Sequence, residues 1–164
     1  MDNKSTEQRS ANMALIGSKN TTPEIFVRKL IFGQGFRYRL HNKKLPGTPD
    51  VYLRKYNTAV FVHGCFWHGH ENCSKSRMPS THAEFWAEKI NRNKERDRNV
   101  VKELLDNGIR VLIIWGCACK KRNAEDLSRK IKKFIVGDCA YLEIESSDFS
   151  EYSSKGNQDH GKEN

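Results

Sequence analysis

Residues 49–73 read PDVYLRKYNTAVFVHGCFWHGHENC, and this stretch decides the fold. Pro49-Asp50 leads into the short run Val51-Tyr52-Leu53, Lys55-Tyr56-Asn57 is turn-like, and Ala59-Val60-Phe61-Val62 is wholly apolar. Two such runs around a turn predict an antiparallel β-hairpin. An acid at the start of that hairpin can hold a hard cation such as Mg²⁺ through oxygen, as phosphodiester cleavage requires. Taken alone, Asp50 is an ordinary residue for a plain turn, and Pro-Asp by itself is a weak signal. Glu24 could supply a second carboxylate, or simply complement the dipole in the first turn of a helix.

Working outward, Thr22-Pro23-Glu24 reads as a helix start with Thr22 as N-cap and Pro23 at the first helical position. Ile25, Phe26, Leu30 and Ile31 have helical spacing, and Gly33 and Gly35 stop the run. Phe36 to Leu40 alternates with strand period, and 45–49 is a loop. After the Cys-, His- and Gly-rich loop 64–79 comes a long helix, 82–107, whose middle, NRNKERDRN, is almost wholly polar and so faces solvent or a ligand. Gly108 closes that helix, 109–115 is a buried β-branched strand, and 124–134 is a last helix. The order α-β-β-β-α-β-α predicts an α/β fold of the α+β type, a mixed sheet flanked by helices. The expected organisation is an N-terminal arm (1–20), one domain (21–142) and an acidic, disordered tail (143–164).

The 164 residues carry 29 Lys+Arg against 20 Asp+Glu, a net charge of +9, with 30% charged and 37% hydrophobic residues. That balance excludes collagen-like, fully disordered and membrane-spanning classes. The longest apolar run, Val111 to Trp115, is far short of the roughly 20 residues of a spanning helix. The polar N-terminus MDNKSTEQRS has no apolar leader core, so an intracellular protein is expected. Six acids and two lysines fall at 143 and beyond, leaving 27 basic and 14 acidic groups, a net +13, in residues 1–142. A basic domain of this kind suits a polyanion, nucleic acid above all, although a solvated basic surface would look the same.

Five cysteines, at 65, 73, 117, 119 and 139, are an odd number for a disulfide framework and favour metal binding or free thiols. Cys65, His70 and Cys73 form a C-x₄-H-x₂-C cluster, which Cys117 or Cys119 could complete as a tetrahedral zinc site. Four protein ligands leave no open position, so such a zinc would be structural. Phe66-Trp67 is an apolar pair in a charged loop, suited to core packing or to insertion into a base stack. Trp86 has the same two readings, since it shares helical spacing with Phe85 and Ile90. Arg92, Lys94, Arg96 and Arg98 are candidate phosphate contacts.

Several linked motifs occur in order: RSANM (9–13), LPGTPD (45–50), HGCFWHGH (63–70), EFW (84–86) and VLIIWGCA (111–118). Together they resemble the very-short-patch repair (Vsr) endonucleases, bacterial enzymes that nick DNA beside a T:G mismatch. The resemblance runs from about Arg9 to Cys117. The acid-bearing helix and Pro-Asp hairpin also resemble the wider restriction-endonuclease-like superfamily. That superfamily usually has acid-x-Lys on the second strand, where this chain has Phe61-Val62-His63.

The resemblance implies a restriction-endonuclease-like core with a structural zinc site held by Cys65, His70, Cys73 and Cys117, selecting Cys117 over Cys119. It implies Mg²⁺ at Asp50 and at the backbone carbonyl of Val62, a position where family members often carry Thr. Glu24 and His63 would orient metal-bound water, and His68 would act as general base or proton shuttle for the attacking water, a task suited to an imidazole. Met13, Phe66, Trp67 and Trp86 would wedge into the duplex at the mismatch, where unstacking costs least. The implied activity is single-strand nicking on the 5′ side of the mismatched T, initiating very short patch repair and leaving 5′-phosphate and 3′-hydroxyl ends. The implied setting is a monomer in the bacterial cytoplasm at the nucleoid, acting on T:G-containing double-stranded DNA alongside other mismatch-repair proteins. The alternatives are a nuclease of the same fold with another DNA-structure specificity, or a non-enzymatic zinc-bound DNA-binding module.

Overall fold

The structure is a computed structural model that describes residues 19–149. Its elements are α1 (Thr22–Gly33), β1 (Arg39–Leu40), β2 (Val51–Leu53), β3 (Thr58–His63), α2 (Ala83–Asp106), β4 (Arg110–Trp115), α3 (Ala124–Val136) and β5 (Tyr141–Ile144). The strands form one mixed sheet in the order β1-β2-β3-β4-β5. β1–β2 and β2–β3 pair antiparallel, with Val51 opposite Val60. β3–β4 and β4–β5 pair parallel, with His63 opposite Trp115 and Ile114 opposite Ile144. The expected hairpin is therefore present; its turn is a 3-10 segment (Arg54–Tyr56) followed by Asn57 in the left-handed region.

Side-chain alternation divides the strands between two cores. Val60 and Val62 of β3 and Leu112 and Ile114 of β4 pack with Val27 and Ile31 of α1 and Leu127, Ile131, Phe134 and Ile135 of α3. Ala59 and Phe61 of β3 and Val111, Ile113 and Trp115 of β4 pack on the opposite face with Leu104, Val100 and Val101 of α2. The result is three layers, with α1 and α3 on one face and α2 on the other. His63 shares the parity of Ala59 and Phe61, so it is turned toward α2.

Several expected boundaries shift. Thr21, not Thr22, is the N-cap: its side chain accepts from the Glu24 N–H, Thr22 opens the helix and Pro23 follows. Strand pairing in the 36–40 run is confined to Arg39–Leu40. Phe36 and Tyr38 do keep the expected alternation, packing against the α1–α3 core. The boundary drawn at 142 falls inside β5, so residues 143–149 are ordered rather than tail. Ile144 is buried and Phe149 packs against the α1–α3 core, which is the apolar anchoring that composition averaged over the tail concealed. Met13 and the tail from 150 onward lie outside the described residues. No helix among the described residues is long and apolar enough to cross a membrane.

Candidate active site and metal centre

The N-terminal end of β2 and the C-terminal end of β3 lie side by side in the antiparallel register, which places Asp50 against the backbone of Val62. The Val62 N–H donates to Asp50 Oδ2 at 2.7 Å. Burial, opposed by that hydrogen bond and reinforced by the neighbouring Glu24 charge, raises the Asp50 pKa to about 6. One donor atom each from Glu24, His41 and Asp50 lie within 4.8 Å of one another. Glu24 is held from several sides. The Asn20 N–H (2.9 Å), the Thr21 hydroxyl (3.1 Å) and Arg28, one helical turn on (2.8 Å), all donate to its carboxylate. Arg28 also donates to Nε2 of His41 at 3.0 Å. These carboxylates line a cleft of about 450 Å³ together with Val62, His63, His68, Arg96 and Asp97.

His63 and His68 stack face to face on the other wall, with ring centroids 3.9 Å apart. His63 is buried, and desolvation, aided by the His68 charge, lowers its pKa to about 3, so it stays neutral. His68 Nδ1 lies 2.6 Å from Asp97 Oδ2 on α2. Burial works to raise the Asp97 pKa, but the His68 hydrogen bond and charge outweigh it and leave this carboxylate below its ordinary value. An ionised carboxylate can only accept, so Nδ1 carries a proton and donates it to Asp97, which leaves Nε2 as the ring nitrogen not engaged by that acid. This is the arrangement of a general base oriented by an acid.

A third cluster lies beyond the strand ends. Cys65 follows β3, Cys117 follows β4, and His70 and Cys73 come from the intervening loop. One donor atom each from these four lie within 4.8 Å of one another. A tetrahedral zinc with arms of about 2.3 Å needs donors about 3.8 Å apart, so the set fits with small adjustments. Burial and the neighbouring Cys117 push the Cys65 thiol up to about 12, so a thiolate there needs a cation for company. Cys119 stands outside the set and contacts the Trp115 carbonyl instead.

The loop is seated on the polar middle of α2. Asn93 donates to the Trp67 carbonyl (2.9 Å), Lys94 pairs with Glu71 (2.9 Å), and Asp97 takes His68. Gly69, at φ +61°, marks the closest approach; a Cβ there would lie 2.7 Å from Ile90. The expected ligand for the polar helix middle is thus, in large part, this chain's own loop. Phe66, Trp67 and Trp86 belong to neither core. Their rings meet edge to face at 5.2–5.9 Å, with Phe85 beside them and Lys89 over three of the rings. Arg92, Arg96 and Arg98 are exposed on α2, and half-buried Lys94 is engaged with Glu71.

The model of the family described as DNA mismatch endonuclease Vsr matches residues 1–75. The chain is 45% identical over 130 residues to the type II nicking enzyme V.NmeAIP of Neisseria meningitidis serogroup A, covering 78% of this chain and 92% of that one. It is 40% identical over 141 residues to the DNA mismatch endonuclease Vsr of Escherichia coli K12, covering 84% and 90%. The chain belongs to the Vsr endonuclease family. A third relative, the type II nicking enzyme V.XorIIP of Xanthomonas oryzae pv. oryzae, is 43% identical over 71% of this chain and 85% of its own.

As a Vsr-family member the protein is a DNA endonuclease, which sets aside the non-enzymatic module. Sequence reading missed Asp97, Arg28, His41 and Glu145. A signal for Asp97 was present: Trp86, Ile90, Asn93 and Asp97 fall on one stripe of a 3.6-residue helix, the stripe that meets the loop. Arg28 was legible as the i+4 partner of Glu24. His41 and Glu145 carry no local signal, because chain reversal and strand pairing bring them in.

Proposed function

We propose that this Vsr-family endonuclease nicks one strand of duplex DNA on the 5′ side of the T in a T:G mismatch, using Mg²⁺, and that its Cys/His cluster holds a structural zinc. The reading rests on a restriction-endonuclease-like core, supported by the order α1-β1-β2-β3-α2-β4 and by a carboxylate at the Pro-Asp hairpin. The observation that carries it is the shared cleft in which Asp50 and Glu24 face the His68–Asp97 pair.

Asp50 and the Val62 carbonyl would hold Mg²⁺. The N–H and C=O of one strand residue project to the same side, and the Val62 N–H already points at Asp50. When bound, the ion stabilises charge on the phosphate and acidifies water. His68 takes the proton of the attacking water on Nε2, while Asp97 fixes its tautomer and stabilises the imidazolium. His63, neutral and stacked beneath it, holds the ring plane and stands where the superfamily lysine would be. Arg28 and the Asn20 N–H fix Glu24, which with His63 orients the water. Phe66, Trp67 and Trp86 form an aromatic prow, supplemented by Met13, that opens the stack at the weaker mismatched step. Arg92, Lys94, Arg96 and Arg98 contact phosphates.

We assign residues 1–20 to a DNA-contacting arm and the domain from 21 onward to catalysis. The expected setting is a monomer at the nucleoid in the bacterial cytoplasm, with other mismatch-repair proteins as partners. The test is a panel of labelled duplexes with T:G, T:A and other pairs, with and without Mg²⁺. Nicking restricted to T:G, with 5′-phosphate and 3′-hydroxyl ends, is expected. A second reading, a nuclease of the same fold with another DNA specificity, is favoured by relatives whose names say nicking enzyme and no mismatch. Equal cutting of T:A and T:G duplexes would establish it.

A further inference from the structure

β3, β4 and β5 run parallel, so the residues just past their ends converge at one edge of the sheet. Cys65 follows β3, Cys117 follows β4, and Glu145 follows β5. Glu145 Oε2 lies 2.7 Å from Nε2 of His70. The other ring nitrogen, Nδ1, lies 3.6 Å from Cys117 Sγ, inside the Cys/His cluster. An ionised carboxylate only accepts, so Nε2 carries a proton, and Nδ1 is left as the nitrogen that would ligate a metal held by the three sulfurs. The His70 ring is further fixed by Trp115, stacked at 4.1 Å and 5°. Trp115 in turn donates its Nε1–H to Glu143 at 2.8 Å. Glu143 on β5 and Glu145 just past its end line the same pocket as His70 and Trp115. Asp148 accepts from the Glu145 N–H at 2.8 Å and fixes the backbone from which that side chain departs.

We infer that Glu145 is the positioning carboxylate of the Cys/His metal centre: it sets the His70 tautomer and basicity and fastens the C-terminal strand to the metal loop. Metal-bound imidazoles generally donate their second N–H to such a partner, and removing the partner costs about 10–100-fold in metal affinity. The inference rests on the reading of the cluster as a zinc centre. It adds to that reading a ligand-orienting role for a residue that the sequence places in an acidic tail.

The test compares zinc-loaded wild type, Glu145→Ala and Glu145→Gln by zinc transfer to a colorimetric chelator, with visible spectra of the Co²⁺-loaded forms. Glu145→Ala should bind zinc about 10–100-fold more weakly, with altered Co²⁺ bands as His70 loses its orientation. Glu145→Gln keeps an oxygen acceptor without the charge, so its Co²⁺ spectrum should match wild type while its zinc affinity lies between the other two. A purely structural role would not separate spectrum from affinity in this way. Zinc affinity of Glu145→Ala within twofold of wild type would overturn the inference. Wild-type protein purified without zinc, and unable to take it up, would refute the metal reading beneath it.

Discussion

Replacing Asp50 by asparagine should make the protein inactive and more stable. The Asp50 carboxyl is raised from 3.8 to about 6, chiefly by burial. Two pKa units at about 1.4 kcal/mol each set a ceiling of about 3 kcal/mol on the cost of ionising it in the cation-free fold, and residual solvation brings the expected figure to about 1–3 kcal/mol. The sign follows from linkage. A folded-state pKa above the unfolded one means that the native state holds its proton more tightly. The associated stability is therefore present below pH 4 and lost as pH rises through about 6. The substituted carboxamide cannot ionise, and its oxygen can still accept from the Val62 N–H. The stability gap in favour of Asp50→Asn should be small near pH 4, open between 4 and 6, and stay flat to pH 8. Denaturant melts across that range without added divalent cation measure it. Mg²⁺ should then close the gap, because it stabilises wild type by mass action, by about 2.7 kcal/mol at a hundred times its Kd. A variant less stable than wild type at pH 8, or a gap independent of pH, would refute the reasoning.

Asp97→Asn should leave binding of T:G duplex nearly unchanged and lower single-turnover nicking by about 10²–10⁴-fold, since His68 would lose its orienting partner; a loss below fivefold would argue against the dyad. Cys65→Ala should abolish zinc content by metal analysis, and full occupancy would refute the ligand set. Trp67→Ala should weaken binding to T:G duplex by about 1–3 kcal/mol in a fluorescence titration and narrow its preference over T:A. Leu104→Ala, at a fully buried position between α2 and the sheet, should cost about 2–5 kcal/mol in a denaturant melt.

The layers were legible because hydrophobic periodicity is a local property. The runs 51–53, 59–62 and 109–115 and the three helices read correctly in kind, and their ends moved by a residue or two where capping geometry decided. β5 was not legible. Its sequence, Tyr141-Leu142-Glu143-Ile144, sits among acids, and it pairs only because β4 offers a free parallel edge. Cys65, His70 and Cys73 were legible from the chemistry and spacing of their side chains, and the fold groups Cys117 rather than Cys119 with them. His68 was legible as a candidate base without its partner: Asp97 lies 29 residues away, in a run whose charges all look solvated. Glu145 stands 75 residues from His70, and such pairings have no signature along the chain.

β3 serves two masters at its far end. Val62 turns its amide toward the hairpin carboxylate, His63 its ring toward the long helix, and Cys65, two positions later, reaches the sulfur cluster. Loss or gain of one amino acid between 58 and 61 would therefore invert inside and outside for the part of the strand beyond it and displace Val62, His63 and Cys65 together. The exposed 80–82 stretch ahead of α2 can absorb a change of length, whereas the strand that feeds the loop is held to a fixed count.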